Sequence, residues 1–404
     1  MTADVKNFAS AVLYAGNLRG LFLTITFRIA LPRQLNCVGF YGKLFSYSRS
    51  AKGGDVMMQT AKAGGARKRS AGNDTIDLLK FLGSIMIFTM HISAFRDCGQ
   101  LVFVWEILSR WAVPFFFVTS AYFLFSKGEN GNITRAHLGK YIKRIAALYA
   151  LWLLINLPSV FYSRLYTPGI QELKTWLLFF RSAFLSSTFT GSWYLMSCIF
   201  SAFFVYVLSK KLRNGTVLAI TFLLQTVCIL TSVYSGFVPE SIGKALDLVS
   251  FPLNIFGGVF YFALGKFLFE KQNLFKRLRA GDCLFLALLF YGVYIVEIYF
   301  AKSCGVYRCS DQAFSLLPLS AFLLLACQKS ALHLRRPKTL RKMSTVIYCC
   351  QGNILLFVPM VLKQYGVTAS LTVFAVGALC AVGMILIVFA LQKCKKCKFA
   401  GYLT

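Results

Sequence analysis

Two ionisable residues stand out in one apolar stretch, "DLLKFLGSIMIFTMHISAF" (Asp77–Phe95): Lys80 near its start and His91 near its end. The chain has only three histidines, so an imidazole placed there needs an explanation. A helix turns about 100° per residue, so eleven steps bring Lys80 and His91 onto one face, roughly 16 Å apart along the axis. Asp77 lies one turn before Lys80 near the same face, within pairing reach of the lysine. A boundary lysine can simply snorkel to water, and a lone histidine can be a packed core residue. Ionisable groups inside a membrane segment are nevertheless costly, which makes function the first hypothesis for both. Imidazole titrates near neutrality and suits proton transfer. The shared face by itself names no reaction.

The elements that must hold this pair follow from composition. Hydrophobic residues make up 57% of 404 and charged residues 14%, whereas a soluble domain is about a quarter charged. Apolar runs recur from residue 74 onward without period-2 alternation, which predicts an all-α polytopic membrane protein and excludes a β-barrel. The net charge of +30 sits in short loops with no aromatic-interleaved basic surface, so it implies orientation rather than nucleic-acid binding. Most of the thirteen cysteines lie in apolar runs, where they act as small hydrophobes. Cys394 and Cys397 have CxxC spacing but no second pair, so no metal site is expected; Cys304 and Cys309 share one predicted outward loop, where a disulfide is possible.

Windows of about 20 apolar residues place ten transmembrane helices at 75–95, 104–126, 145–163, 192–209, 216–237, 250–269, 283–300, 311–328, 343–362 and 368–392. Leu173–Ser187, interrupted by Arg181, reads as an interfacial or re-entrant helix. Lys and Arg concentrate in alternate loops, which puts both chain ends in the cytoplasm of a multi-pass protein of the cell (plasma) membrane. Residues 71–404 thus form one membrane domain, preceded by a basic extension, 1–70, that is poorly ordered or interfacial. A start at Met57 or Met58 would leave a short lead-in.

The second span, "RWAVPFFFVTSAYFLF" (Arg110–Phe125), supplies more chemistry. Running out to in, it sets Arg110 at about the depth of His91. Pro114 removes a backbone donor, and Ser120 and Tyr122 offer polar atoms further in. "DLLKFLGSIMIFTMH" followed by "RWAVPFFFVTSAYFL" and "YIKRIAALYALWLL" (Tyr141–Leu154) resembles the acyltransferase-3 family of integral membrane acyltransferases. The branch it is most similar to modifies bacterial surface polysaccharides and includes the membrane part of a vancomycin-resistance serine racemase. "GSWYLM" (Gly191–Met196) and "VIYCCQ" (Val346–Gln351) are weaker matches.

The resemblance implies transfer of an acyl group, usually acetyl, from cytoplasmic acyl-CoA to a hydroxyl of an envelope sugar or polysaccharide. No bound cofactor is implied; acetyl-CoA or another acyl-CoA is the donor substrate. His91 would be the catalytic residue, and Lys80, Lys140, Lys143 and Arg144 would bind the donor's phosphates. Lysines stand at 140 and 143 where the family usually has arginines, which loses the bidentate fork. Arg110, Ser120, Tyr122, Trp193, Tyr194 and Gln351 are candidates for the acceptor site. Two further departures are Ala121, where the family usually has glycine, and Gln351, near a usual histidine; glutamine can orient a hydroxyl but takes no proton at neutral pH. His91 would then work as general base, with a transient acyl-histidine as the variant. Other classes remain open on the sequence: a transporter or permease broken at Pro114, Pro252 and Pro318, or a non-catalytic envelope scaffold.

Overall fold

The computed structural model describes residues 71–394 and 397–404. The basic extension expected over 1–70 lies outside the described residues. Within them the protein is all helical, with no strand.

Helix α1 (Ala71–His91) ends in a closed cap. Ser93 takes a left-handed φ of 53°, Ala94 N–H bonds Thr89 C=O, and Ser93 N–H bonds Met90 C=O, the two bonds of a Schellman closure. The next turn is tied down: Asp97 accepts the Ser370 N–H at 2.6 Å and Arg96 donates to the Thr368 carbonyl at 2.9 Å. The Ser370 N–H holds the exposed Asp97 carboxyl below the ordinary carboxylate range. Such a depressed group stabilises the fold above its unfolded pKa and loses that contribution as pH falls through the lowered value.

Helices α2 (Leu101–Ser109) and α3 (Ala112–Phe125) run on as one 25-residue apolar stretch. Pro114 falls in the first turn of α3, where a missing N–H costs little. Helix α4 (Arg135–Ile155) is followed by α5 (Leu157–Val160) and a π-helical turn (Phe161–Tyr166), the pair bent by 70°. The bend falls at Asn156, because Pro158 has no N–H for the next intrahelical bond. The buried Asn156 amide occupies the gap, donating to Trp152 and Cys349 carbonyls at 2.8 and 2.9 Å.

Helix α6 (Leu173–Leu185) buries Thr175 and Ser182 while Leu173, Leu177, Phe180 and Phe184 are exposed. Its apolar face points away from the protein, as an interface-lying helix requires. Then follow α7 (Trp193–Lys211), α8 (Asn214–Leu230), α9 (Glu240–Leu248), α10 (Val259–Glu270), α11 (Ala280–Ser303), α12 (Leu316–Lys329), α13 (Pro337–Cys349), α14 (Gln351–Gln364) and α15 (Ser370–Lys393).

Among the described residues four stretches, Leu101–Phe125, α7, α11 and α15, are long and apolar enough to cross a membrane, and six are if each bent pair counts as one span. The expected windows 250–269 and 311–328 differ most. Only α10 and α12 are helical there, preceded by irregular apolar segments. Those segments are satisfied inside the protein: the Asn254 side chain accepts the Phe256 N–H, and Glu297 on α11 accepts the N–H groups of Phe314 and Ser315. Cys304 and Cys309 are unbridged; the Cys309 thiol lies 3.2 Å from the Ser232 hydroxyl.

The core forms where α1, α3, α7, α10, α12 and α13 meet. Helices α3 and α10 approach most closely at Gly265: a Cβ there would come 2.5 Å from the Val118 carbonyl and 2.7 Å from the Ala121 methyl. Gly265 therefore makes room for the methyl that Ala121 adds. Gly265→Ala should destabilise the protein by about 1–3 kcal/mol through overpacking, read as a lower thermal midpoint in detergent. Gly383→Ala, in the interior of α15 at a site with open space, should hold or slightly raise the midpoint, since alanine favours a helix interior over glycine.

Candidate active site

Helix α1 is fixed by its charged face. Asp74 accepts the Leu334 N–H at 3.1 Å, Asp77 lies 3.9 Å from Arg341, and the Lys80 carbonyl accepts from Ser344 at 2.8 Å. Residues 74, 77 and 80 recur at three-residue spacing, so one stripe of α1 faces α13 and the loop before it. This docking holds Lys80 inside the bundle, with its ammonium 6.0 Å from the Phe123 ring. The charged groups that act on it are Asp77, Arg341 and Arg144, and the Cys198 thiol lies nearby.

The other end of α1 presents His91. Its side chain is exposed. Among the described residues no hydrogen bond occupies its nitrogens. The charges within reach are Arg110 and Asp311.

Arg110 is fully engaged. Its guanidinium donates to Glu106 at 2.5 Å, to Ser310 at 2.9 Å and to Asp311, and Ser310 donates in turn to Glu106 at 2.6 Å. Tyr294 on α11 anchors this loop by donating to the Ser310 carbonyl at 3.0 Å.

Polar groups also gather on α3, α4, α7 and α13. Ser120 on α3 meets the Tyr194 hydroxyl at 3.2 Å. Tyr194 packs on Phe117 and Tyr348, with ring centroids 4.5 and 5.6 Å away. The Cys198 thiol lies beside the hydroxyls of Tyr194 and Tyr141, and the buried Tyr141 hydroxyl has no well-formed hydrogen bond. Tyr348 donates to the Gly191 carbonyl at 2.9 Å. Gly191 has φ +81°, and a Cβ would sit 3.1 Å from the Tyr348 hydroxyl, so only glycine fits.

Gln351 opens α14 at the 56° bend after α13. Ser344 is level with Lys80, while Ile354 and Ile92 both crowd Gly377. Gln351 therefore lies at a depth between Lys80 and His91. It is 1% exposed, and neither amide atom has a hydrogen-bond partner among the described residues.

The residues expected at the site are thus partly assembled. Arg144 lies within electrostatic reach of Lys80, Arg110 lies within reach of His91, and Ser120 meets Tyr194, while Gln351 bonds none of them. Lys140 and Lys143 are exposed on α4 beside Arg144, and Arg144 bonds the Thr404 carbonyl at 3.3 Å. Tyr122 faces the opposite side of α3, beside Phe269 and Gln328. Trp193 is buried against Phe117 and Gly257. Sequence reasoning missed Arg341, Tyr141, Cys198, Tyr348, Ser310 and Asp311. Only the Glu106–Arg110 pair carried a signal, its four-residue spacing.

An all-helical bundle with several helices apolar enough to cross a membrane, carrying an imidazole at one end of α1 and cations at the other, has the make-up of a multi-pass membrane protein. The chain belongs to the acyltransferase-3 family: the family's acyltransferase domain matches residues 73–392. The domain it matches is an acyltransferase domain, of the kind that moves acyl groups other than aminoacyl groups. The chain is also similar to an amino-acid racemase of Enterococcus faecalis, 25% identical over 213 residues, which are 50% of this chain and 29% of the racemase. The chain thus spans under a third of that relative's length. No solved structure matches it.

Removing Arg110 would strand two carboxylates. Arg110→Ala should destabilise the protein by about 2–3 kcal/mol, somewhat below the cost for a fully buried pair, because these side chains keep 15–29% exposure. Arg110→Met combined with Asp311→Leu should recover part of that loss. Thermal midpoints of the two variants check both statements.

Proposed function

We propose that this protein is an O-acyltransferase of the cell membrane, with ten spans and both ends cytoplasmic, that moves an acetyl or other acyl group from acyl-CoA to a hydroxyl of an envelope sugar. The observation that carries the reading is the placement of Lys80 and His91 at opposite ends of one helix, with Arg144 near the first and Arg110 near the second; in this reading Ser120, Tyr194 and Gln351 form a polar track between them. Lys80 and Arg144, with Lys140 and Lys143 exposed beside them, offer a cationic mouth for the donor's phosphates. The roughly 16 Å from Lys80 to His91 is room for a long thioester-bearing arm.

In this reading His91 acts as general base. It takes the proton of the sugar hydroxyl as the oxygen attacks the thioester carbonyl. The carbon–sulfur bond breaks, and the proton returns to the coenzyme A thiolate as it leaves. Arg110, held by two carboxylates, orients the acceptor side rather than moving a proton. Ser120 and Tyr194 line the path. The unpartnered Gln351 amide is suited to bind an acyl or hydroxyl oxygen, since a buried amide without a partner is costly until something completes it. Trp193 supports the wall of this path through Phe117, while Tyr122, on the opposite side of α3, has no part in it.

His91→Ala, expressed at the normal level in membranes, should abolish transfer, seen by mass analysis of envelope glycans as loss of one acyl mass. Acylation that persists in the variant contradicts the mechanism. Lys80→Met should raise KM for acyl-CoA about tenfold or more while changing kcat less, the pattern expected when ground-state binding is lost.

A further inference from the structure

A cavity of about 510 Å³ opens between α8, α10 and α12, away from the polar track, and its lining is apolar throughout. Leu268, Leu317, Ala321 and Leu325 form its buried floor. Phe222 shuts one end, its ring 5.8 Å from Phe260 and 6.2 Å from Phe314. The other end reaches Phe275, in the turn after α10.

Two features identify what fits. The lining runs eight residues along α12, from Leu317 to Leu325, about 12 Å, and Phe314 before the helix extends it toward half of a 30 Å hydrocarbon core. Its length is that of one leaflet. At the Phe275 end stand Lys271, Lys276 and Arg277, all exposed, with no ion-pair partner among the described residues. We propose that this groove is a binding site for one tail of an anionic phospholipid, its headgroup held by Lys271, Lys276 and Arg277.

The tail alone gives little preference, because lipid tails are as apolar as the groove. Selectivity comes from the headgroup: each basic side chain near an anionic lipid surface adds attraction, so three together favour an anionic over a zwitterionic headgroup by roughly tenfold or more. The aromatic stop at Phe222, Phe260 and Phe314 limits the tail to one leaflet's depth. By the positive-inside pattern that leaflet is the cytoplasmic one.

The test is native mass spectrometry of the full chain in mild detergent, doped with equal phosphatidylglycerol and phosphatidylcholine. Wild type should retain one phosphatidylglycerol, in roughly tenfold preference to phosphatidylcholine. The Lys271→Ala, Lys276→Ala, Arg277→Ala triple variant, whose changes are all exposed, should lose that preference. Ala321→Trp, which fills the floor, should lose the bound lipid while Lys140→Ala, remote from the groove, keeps it. The proposal is overturned if wild type retains no lipid, if it retains both lipids equally, or if the triple variant keeps the preference. None of these outcomes bears on whether the protein transfers acyl groups.

Discussion

Arg110 sits where three parts of the chain meet, and its guanidinium is what holds them together. It joins Glu106 on its own helix to Ser310 and Asp311 in the loop that leads into α12. Tyr294 and Glu297 on α11 complete that loop, one bonding Ser310 and the other capping the start of α12. A cation in an apolar bundle is tolerated only when its donors are met. Here meeting them also fixes the wall beside His91. The histidine itself makes no such bond among the described residues, so the ring stays free inside a rigid frame.

The same economy governs the far end of α1. Asp74, Asp77 and Lys80 face α13 and its leader, and each finds a partner there. This fixes the direction of α1, and with it the depth difference between Lys80 and His91. The Schellman closure at Ser93 and the Asp97–Ser370 bond then stop the helix just past the histidine. Between the two ends, Ser120, Tyr194, Tyr348 and Gln351 come from four separate helices, so the track exists only once the bundle is packed.

Much of this was legible in the sequence because it is periodic. The eleven-residue step from Lys80 to His91, the apolar run through Pro114 and the exposed apolar face of Leu173–Leu185 follow from helical geometry alone. Helix ends were less legible. Residues 251–258 and 311–315 are apolar but irregular, since their backbone groups bond to Asn254 and Glu297; hydropathy cannot tell a buried loop from a span. Asn156 and Cys350 mark bends that a window of 20 residues averages away. The partners of the site were hidden for a different reason. Asp311 and Arg341 lie 201 and 264 residues from their partners Arg110 and Asp77 along the chain, pairings that only tertiary folding creates. Likewise, the space for the Ala121 methyl comes from Gly265, 144 residues further along the chain.

The central claim is that His91 moves the proton while Lys80 and its neighbours hold the donor. The most direct measurement is transfer of label from radiolabelled acetyl-CoA to a glycan acceptor by the purified protein in proteoliposomes. Wild type should label the acceptor, and His91→Gln should not, while both bind acetyl-CoA equally. Equal labelling by the two proteins would contradict the account.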